Sequence, residues 1–315
     1  MSVRCGFPRG ATRIVALAAA FCAAGCATNP AMRRATMIAD ADKAARAALA
    51  AENRLDPAKI PARSFAVLPF AVDPRDTVVR PLAYGLADLL TGDLSRSPQL
   101  QLVERLQTNA ILRELDLVDA GVTDPRQGPR VGRLVGARRL MLGSATRSGP
   151  TTLRLEARVV DVIGGTVQDV VSAEAPFDRV IEAEKQLALL LFERLGITLT
   201  PAQRARVEQR QTTQLNALVA YGRGVEAETR GDAVGATAAF EEASRLDAAF
   251  AAARSQATAS APASSAQRAS SVARVVELTT TAVNAPVATK VPEAVDAPLA
   301  PASVLSLIFV IRVTP

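Results

Sequence analysis

The run Leu153-Arg154-Leu155-Glu156-Ala157-Arg158-Val159-Val160-Asp161, followed by Val162-Ile163-Gly164-Gly165, decides the fold class. Leu153, Leu155, Ala157 and Val159 alternate with Arg154, Glu156 and Arg158. A period of two sends the apolar set to one face and the charges to the other, as in a half-buried strand. Gly164-Gly165 supplies a turn, and residues from Thr166 to Ser172 read as the returning strand. The same alternation would suit a strand of a membrane barrel. A barrel, however, needs added hairpins with strands of about 9–11 residues each. Here the strands near residues 140, 155 and 168 are joined by the short turns Ser148-Gly149-Pro150 and Gly164-Gly165. Assigning them to a barrel would leave two strands, too few for a stable sheet. They are therefore expected to belong to a soluble sheet.

Working outward, Phe65-Ala66-Val67-Leu68-Pro69-Phe70 is a short apolar run fit for a buried strand. Leu82, Leu86, Leu89, Leu90 and Leu94 recur at helical spacing, and Ser95-Arg96-Ser97-Pro98 stops that helix. Leu100 to Glu104 reads as a second strand and Leu140-Met141-Leu142 as a third. Thr108 to Leu117 reads as a helix, and Asp124-Pro125 opens another that reaches Val135. Leucine-rich Ile181 to Leu195 closes the unit as a helix. The expected fold over residues 64–198 is α+β, a mixed sheet of about five strands packed with helices.

Composition closes much of the catalytic repertoire. The 315 residues include no histidine and no tryptophan, which removes Ser-His-Asp and Cys-His hydrolases and His metal ligands. The three cysteines, Cys5, Cys22 and Cys26, all precede residue 27, so nothing downstream supplies a thiolate or a disulfide. The net charge is +6, from 37 basic and 31 acidic residues. Without Arg4, Arg9 and Arg13 the basic residues exceed the acidic ones by only three, with no basic run, so no nucleic-acid partner is expected. There is no phosphate-binding Gly-rich loop and no nucleophile-elbow sequence. The carboxylate pairs Glu182/Glu184 and Glu241/Glu242 lie on helices beside basic residues and read as solvated faces. The Asp161-Val162-Ile163-Gly164-Gly165 turn reads as a strand connection in place of a cation site. No enzyme activity, cofactor or metal is expected.

Arg4, Arg9 and Arg13 precede an apolar stretch from Ile14 to Ala24, followed by Gly25-Cys26. A basic segment, a short apolar core and small residues at the cut define an export signal, and eleven apolar residues are too few to span a bilayer, which takes about 20. Ala23-Ala24-Gly25-Cys26 resembles a lipobox, with Ala23 where leucine is usual. Residues 1–25 are thus expected to be a lipoprotein signal peptide and Cys26 the lipidated residue. Ala27, in place of aspartate, resembles the outer-membrane sorting pattern, which implies anchoring on the periplasmic face of the outer membrane. Residues 26–60 are expected to carry an alanine-rich tether helix, stopped by Asp56-Pro57 and Ile60-Pro61.

Six segments in order carry a family resemblance. They are Phe65 to Phe70, Gly85-Leu86-Ala87-Asp88-Leu89-Leu90, Leu102-Val103-Glu104-Arg105, Leu134-Val135-Gly136-Ala137, Leu142-Gly143-Ser144, and Val159-Val160-Asp161 ahead of Gly164-Gly165. Together they resemble the curli production assembly/transport (CsgG) family. The resemblance implies the compact α/β domain shared with the TolB N-terminal domain and the penicillin-binding-protein activator LpoB. It also implies a non-enzymatic envelope protein that works by protein–protein binding. Two alternatives stay open: a regulator of a peptidoglycan synthase, as LpoB is, and an oligomeric outer-membrane secretion channel. Envelope protein partners and possible homo-oligomers are expected.

Beyond Thr200-Pro201 the chain turns helical. Gly224, Ala227, Gly231, Ala236, Phe240 and Ala243 fall at tetratricopeptide spacing, so residues 201–255 resemble one such unit. Small residues let two helices approach, Gly231-Asp232 turns the chain, and Phe240 fills the gap. One unit is too few to stand alone, so it must pack on the α/β domain, a neighbouring subunit or a partner. Residues 256–303, rich in Ala, Ser, Thr, Pro and Val, read as a low-complexity, disordered linker. Residues 304–313, from Val304-Leu305 to Arg312-Val313, read as a C-terminal strand that pairs with an exposed sheet edge.

Overall fold

The computed structural model describes residues 30–118 and 126–283. The expected signal peptide, the lipidation residue Cys26, the helix start at Asp124-Pro125, the linker beyond residue 283 and the strand at 304–313 lie outside the described residues. The chain divides into two units, Met1–Val272 and Ala273–Pro315. No helix among the described residues is long and apolar enough to cross a membrane.

Five strands form one mixed sheet, β1 (Ser64–Val67), β2 (Gln101–Leu102), β3 (Arg139–Arg147), β4 (Thr152–Asp161) and β5 (Val167–Pro176), in the order β2-β1-β3-β4-β5. β1 runs parallel to β2 and β3, and β3-β4-β5 is an antiparallel meander. The apolar run at Phe65–Phe70 gives a shorter strand than expected. Pro69 has no N–H to donate, so the ladder lapses and resumes only at a bridge between Ala71 and Ser144.

The helices of the α/β part are α1 (Pro30–Ala50), α2 (Val79–Leu94), α3 (Arg105–Glu114), α4 (Gly128–Val135) and α5 (Val180–Arg194). They are followed by α6 (Pro201–Glu208), α7 (Leu215–Thr229), α8 (Ala233–Leu246) and α9 (Ala251–Val283). Burial explains the division of labour. Phe65 of β1 joins one apolar cluster while its neighbour Ala66 joins the other, as a strand covered on both faces requires. The larger cluster lies under α2 and α5 and takes Leu153, Leu155, Ala157 and Val159 of β4 with Val171 and Ala173 of β5. The smaller, under α1, α3 and α4, takes Ala66, Leu140, Leu142 and Val160.

Three features bear on the sequence expectations. Helix α1, the expected tether helix, is docked: Ala41 and Ala45 are buried in the smaller cluster against α3 and α4. The helical hairpin packs on the α/β domain, one of the three places expected for it: the larger cluster continues past residue 198 into Leu218, Tyr221, Phe240 and Phe250. Helix α9 runs through Val283, across much of the stretch read as a linker from residue 256. Its alanines offer little apolar surface but carry high helix propensity, and composition alone weighed only the first of these.

Candidate interaction surface

The sheet is covered fully on one face and only in part on the other. Side chains of Arg154, Glu156 and Arg158 on β4, and of Val170, Ser172 and Glu174 on β5, share the uncovered part. Opposite pairs on it are Arg154 with Glu174, Glu156 with Ser172, and Arg158 with Val170. Arg158 is paired with Glu156 of its own strand at 2.7 Å. Exposed apolar side chains cluster at the same margin: Val170 is 51% exposed, Ile163 44% and Val167 42%.

β5 is also an edge strand, and its hydrogen-bond phase can be assigned. Phe177 N–H donates to Thr151 C=O at 2.9 Å, just past the Thr152–Pro176 pair. In an antiparallel ladder, hydrogen-bonded and non-hydrogen-bonded pairs alternate. The pairs at Ala175, Ala173 and Val171 therefore bond to β4, and the backbone groups of Val170, Ser172 and Glu174 point outward. No backbone hydrogen bond from these three to anything beyond β4 is present among the described residues. A ten-residue edge strand with outward-facing backbone groups at Val170, Ser172 and Glu174 forms a template for strand addition.

The six residues of the tetratricopeptide pattern lie in or beside the α7–α8 hairpin. Phe240 is fully buried, and a Cβ built on Gly224 would stand 2.5 Å from its ring. Ala236 and Ala243 are buried beside it on α8, and Ala227 is half-buried against the same cluster. Gly231 turns the chain at φ +80°, a conformation that favours glycine. Tyr221 stacks between Phe240 and Phe250, with ring centroids 5.4 and 4.9 Å away.

Sequence reasoning missed a buried ionic network that joins four helices. Arg105 at the start of α3 meets Asp88 of α2 at 2.9 Å and Glu228 of α7 at 2.7 Å. The Tyr221 hydroxyl donates to Asp88, and Arg34 of α1 donates to Glu228 from Nε at 3.1 Å. Burial alone would raise the Glu228 pKa, but Arg105 and Arg34 outweigh it and hold the carboxyl below its usual range. The signal was present: Leu218, Tyr221, Val225 and Glu228 follow one helical stripe.

Glu184 corrects another expectation. It is fully buried, so it does not belong to a solvated face, whereas Glu182, Glu241 and Glu242 remain at the surface or half-exposed. Position 184 falls on the buried stripe of α5 with Val180, Leu187, Ala188 and Leu191. Lys185 Nζ bonds Asp93 of α2 and lies 3.1 Å from Glu184 Oε2. Burial raises the Glu184 pKa to about 8, and Lys185 offsets only part of that. Burial also raises Asp93, with Lys185, then a hydrogen bond from Glu184 and then Arg96 pulling it back. Above about pH 4.5 the unfolded chain ionises this carboxyl while the folded chain keeps it neutral up to about pH 8. Its contribution to stability therefore declines as pH rises through that window. Glu184→Gln is expected to raise the melting temperature more at pH 8 than at pH 5; an equal shift at both would refute the assignment.

No group of three or more His, Cys, Asp or Glu able to hold a metal occurs among the described residues. Asp161 is occupied by its turn, accepting from Gly164 N at 2.6 Å and Ile163 N at 3.0 Å and facing Arg138 at 3.4 Å. A cleft of about 510 Å³ between α1, α3 and α4 is lined by apolar side chains with Arg54, Asp56, Lys59, Gln107 and Arg133.

Residues 68–149 match the family model of the curli production assembly/transport component CsgG. The match runs from the end of β1 to the β3–β4 turn, about a quarter of the chain; the motif ahead of Gly164-Gly165 lies beyond it. No curated protein matches the chain. Among solved structures, the crystal structure of lipoprotein GNA1162 from Neisseria meningitidis aligns at 17% identity over 44% of this chain and all of that one, with a TM-score of 0.32.

Proposed function

We propose that this chain is a non-enzymatic, lipid-anchored protein of the cell envelope that acts by binding other envelope proteins, in the manner the CsgG family name describes. The observation that carries the reading is the CsgG match over residues 68–149. The lipobox-like Ala23-Ala24-Gly25-Cys26 supports anchoring, and Ala27 supports the outer membrane, periplasmic side. The contact surface is the open part of the sheet with the outer edge of β5, where the backbone groups of Val170, Ser172 and Glu174 are free to pair.

The test is crosslinking in intact cells from a photoreactive residue placed at Val170 or Ser172, with the same residue at Arg206 as a control. An envelope protein captured from the β5 positions and absent from the control is the expected result. Capture from neither β5 position, with the protein correctly located, would overturn the surface assignment. Heat-resistant rings with single-channel conductance in bilayers would replace the binding reading with a secretion channel.

A further inference from the structure

If Cys26 carries the lipid, the docking of α1 fixes which end of the molecule meets the membrane. Only Ala27, Thr28 and Asn29 separate Cys26 from the start of α1 at Pro30. Four residue steps span at most about 14 Å, and another turn of helix reaches Arg34. There the chain is already committed: Arg34 bonds the buried Glu228, and Ala41 and Ala45 are packed beneath.

The end of the unit around Arg34 can be mapped from its contacts. Glu228 is one residue from the end of α7, so the α7–α8 turn lies there. Arg80, at the start of α2, pairs with Glu226 at 2.7 Å, which brings that helix start to the same place. Asp76 is paired with Arg147, which adds the β3–β4 turn. Two of the exposed large apolar side chains stand at this end, Val78 at 51% and Met37 at 47%, with the exposed Arg75 three residues before Val78. Apolar side chains flanked by arginine suit an interface of headgroups and acyl chains. Ile163, by contrast, lies at the far end of β4, about 33 Å along the ten-residue strand.

We propose that the end formed by the starts of α1 and α2, the α7–α8 turn and the β3–β4 turn rests on the lipid surface, with Val78 and Met37 at the headgroups. The proposal rests on the lipid-anchored reading and deepens it. A docked helix behind a three-residue lead leaves the α/β unit no reach of its own, so its partners are met at the membrane surface.

The test exploits the absence of any cysteine after residue 26. Full-length protein carrying Val78→Cys or Ile163→Cys is labelled with a fluorophore and reconstituted into phosphatidylethanolamine–phosphatidylglycerol vesicles containing a headgroup quencher. Mass spectrometry first establishes the state of Cys26. On lipidated protein, quenching at position 78 is expected to exceed that at 163 several-fold. A 20-residue Gly/Ser insert after Ala27 should reduce that difference. Equal or reversed quenching on lipidated protein overturns the orientation, whereas an unmodified Cys26 overturns the anchor reading instead.

Discussion

Gly222→Ala is expected to destabilise the protein by about 3 kcal/mol or more, while Gly92→Ala, in the same helical layer, is expected to stabilise it slightly. At Gly222 the backbones of α7 and α2 touch: a Cβ there would stand 1.8 Å from the carbonyl oxygen of Pro81. The obstacle is backbone, so no rotamer change relieves it. One helix must move, and Gly85, whose own Cβ position is 3.2 Å from Gly222 Cα, shows how close the crossing is. Overpacking commonly costs about 1–3 kcal/mol and more where the backbone itself must shift. At Gly92 nothing lies within 4 Å of the added methyl, and alanine in a helix interior is favoured over glycine by roughly 0.5–1 kcal/mol. For a chain of this size, about 1 kcal/mol moves the melting temperature by roughly 2–4 °C, so the two variants should part by about 7–16 °C in opposite directions. A Gly222→Ala protein that melts like the wild type would mean that the hairpin is not docked on α2.

That contact also shows what sequence could and could not convey. The sheet was legible because β4 alternates without a break and β1 is apolar on both sides, which are local patterns with fixed periods. The hairpin was legible through Gly224, Gly231 and Phe240, whose spacing is internal to one unit. Its docking partner was not, because Gly85 and Gly222 are far apart in sequence and each is unremarkable in its own helix. The docking of helix α1 was not legible for a related reason. Its buried side chains are alanines, and Ala41 and Ala45 next to Asp40 and Asp42 make a weak stripe. The open edge of β5 could not be read either, since an edge is defined by strand order and not by the strand itself.

Replacing Arg105 with methionine tests the joint that holds α1, α2, α3 and α7 together. The side chain is mostly buried, with 17% of it exposed; burial opposes its charge, and Asp88 and then Glu228 more than compensate, so its pKa is raised. Methionine keeps comparable apolar bulk but strands the two carboxylates, leaving Asp88 the Tyr221 hydroxyl and Glu228 the Arg34 guanidinium. Breaking a buried pair from one side costs about 3–5 kcal/mol, because the charge left behind stays desolvated. The pH dependence separates this from a packing defect. Glu228 is held ionised in the wild type by Arg105 first and Arg34 second; without Arg105 its carboxyl takes up a proton more readily in the folded state. The deficit of Arg105→Met relative to wild type should therefore be largest near pH 7 and shrink as pH falls towards 4, read as the difference in melting temperature. A deficit that is the same at both ends would assign the loss to packing alone. In that case the ionic joint would not be what ties helix α1 to the hairpin.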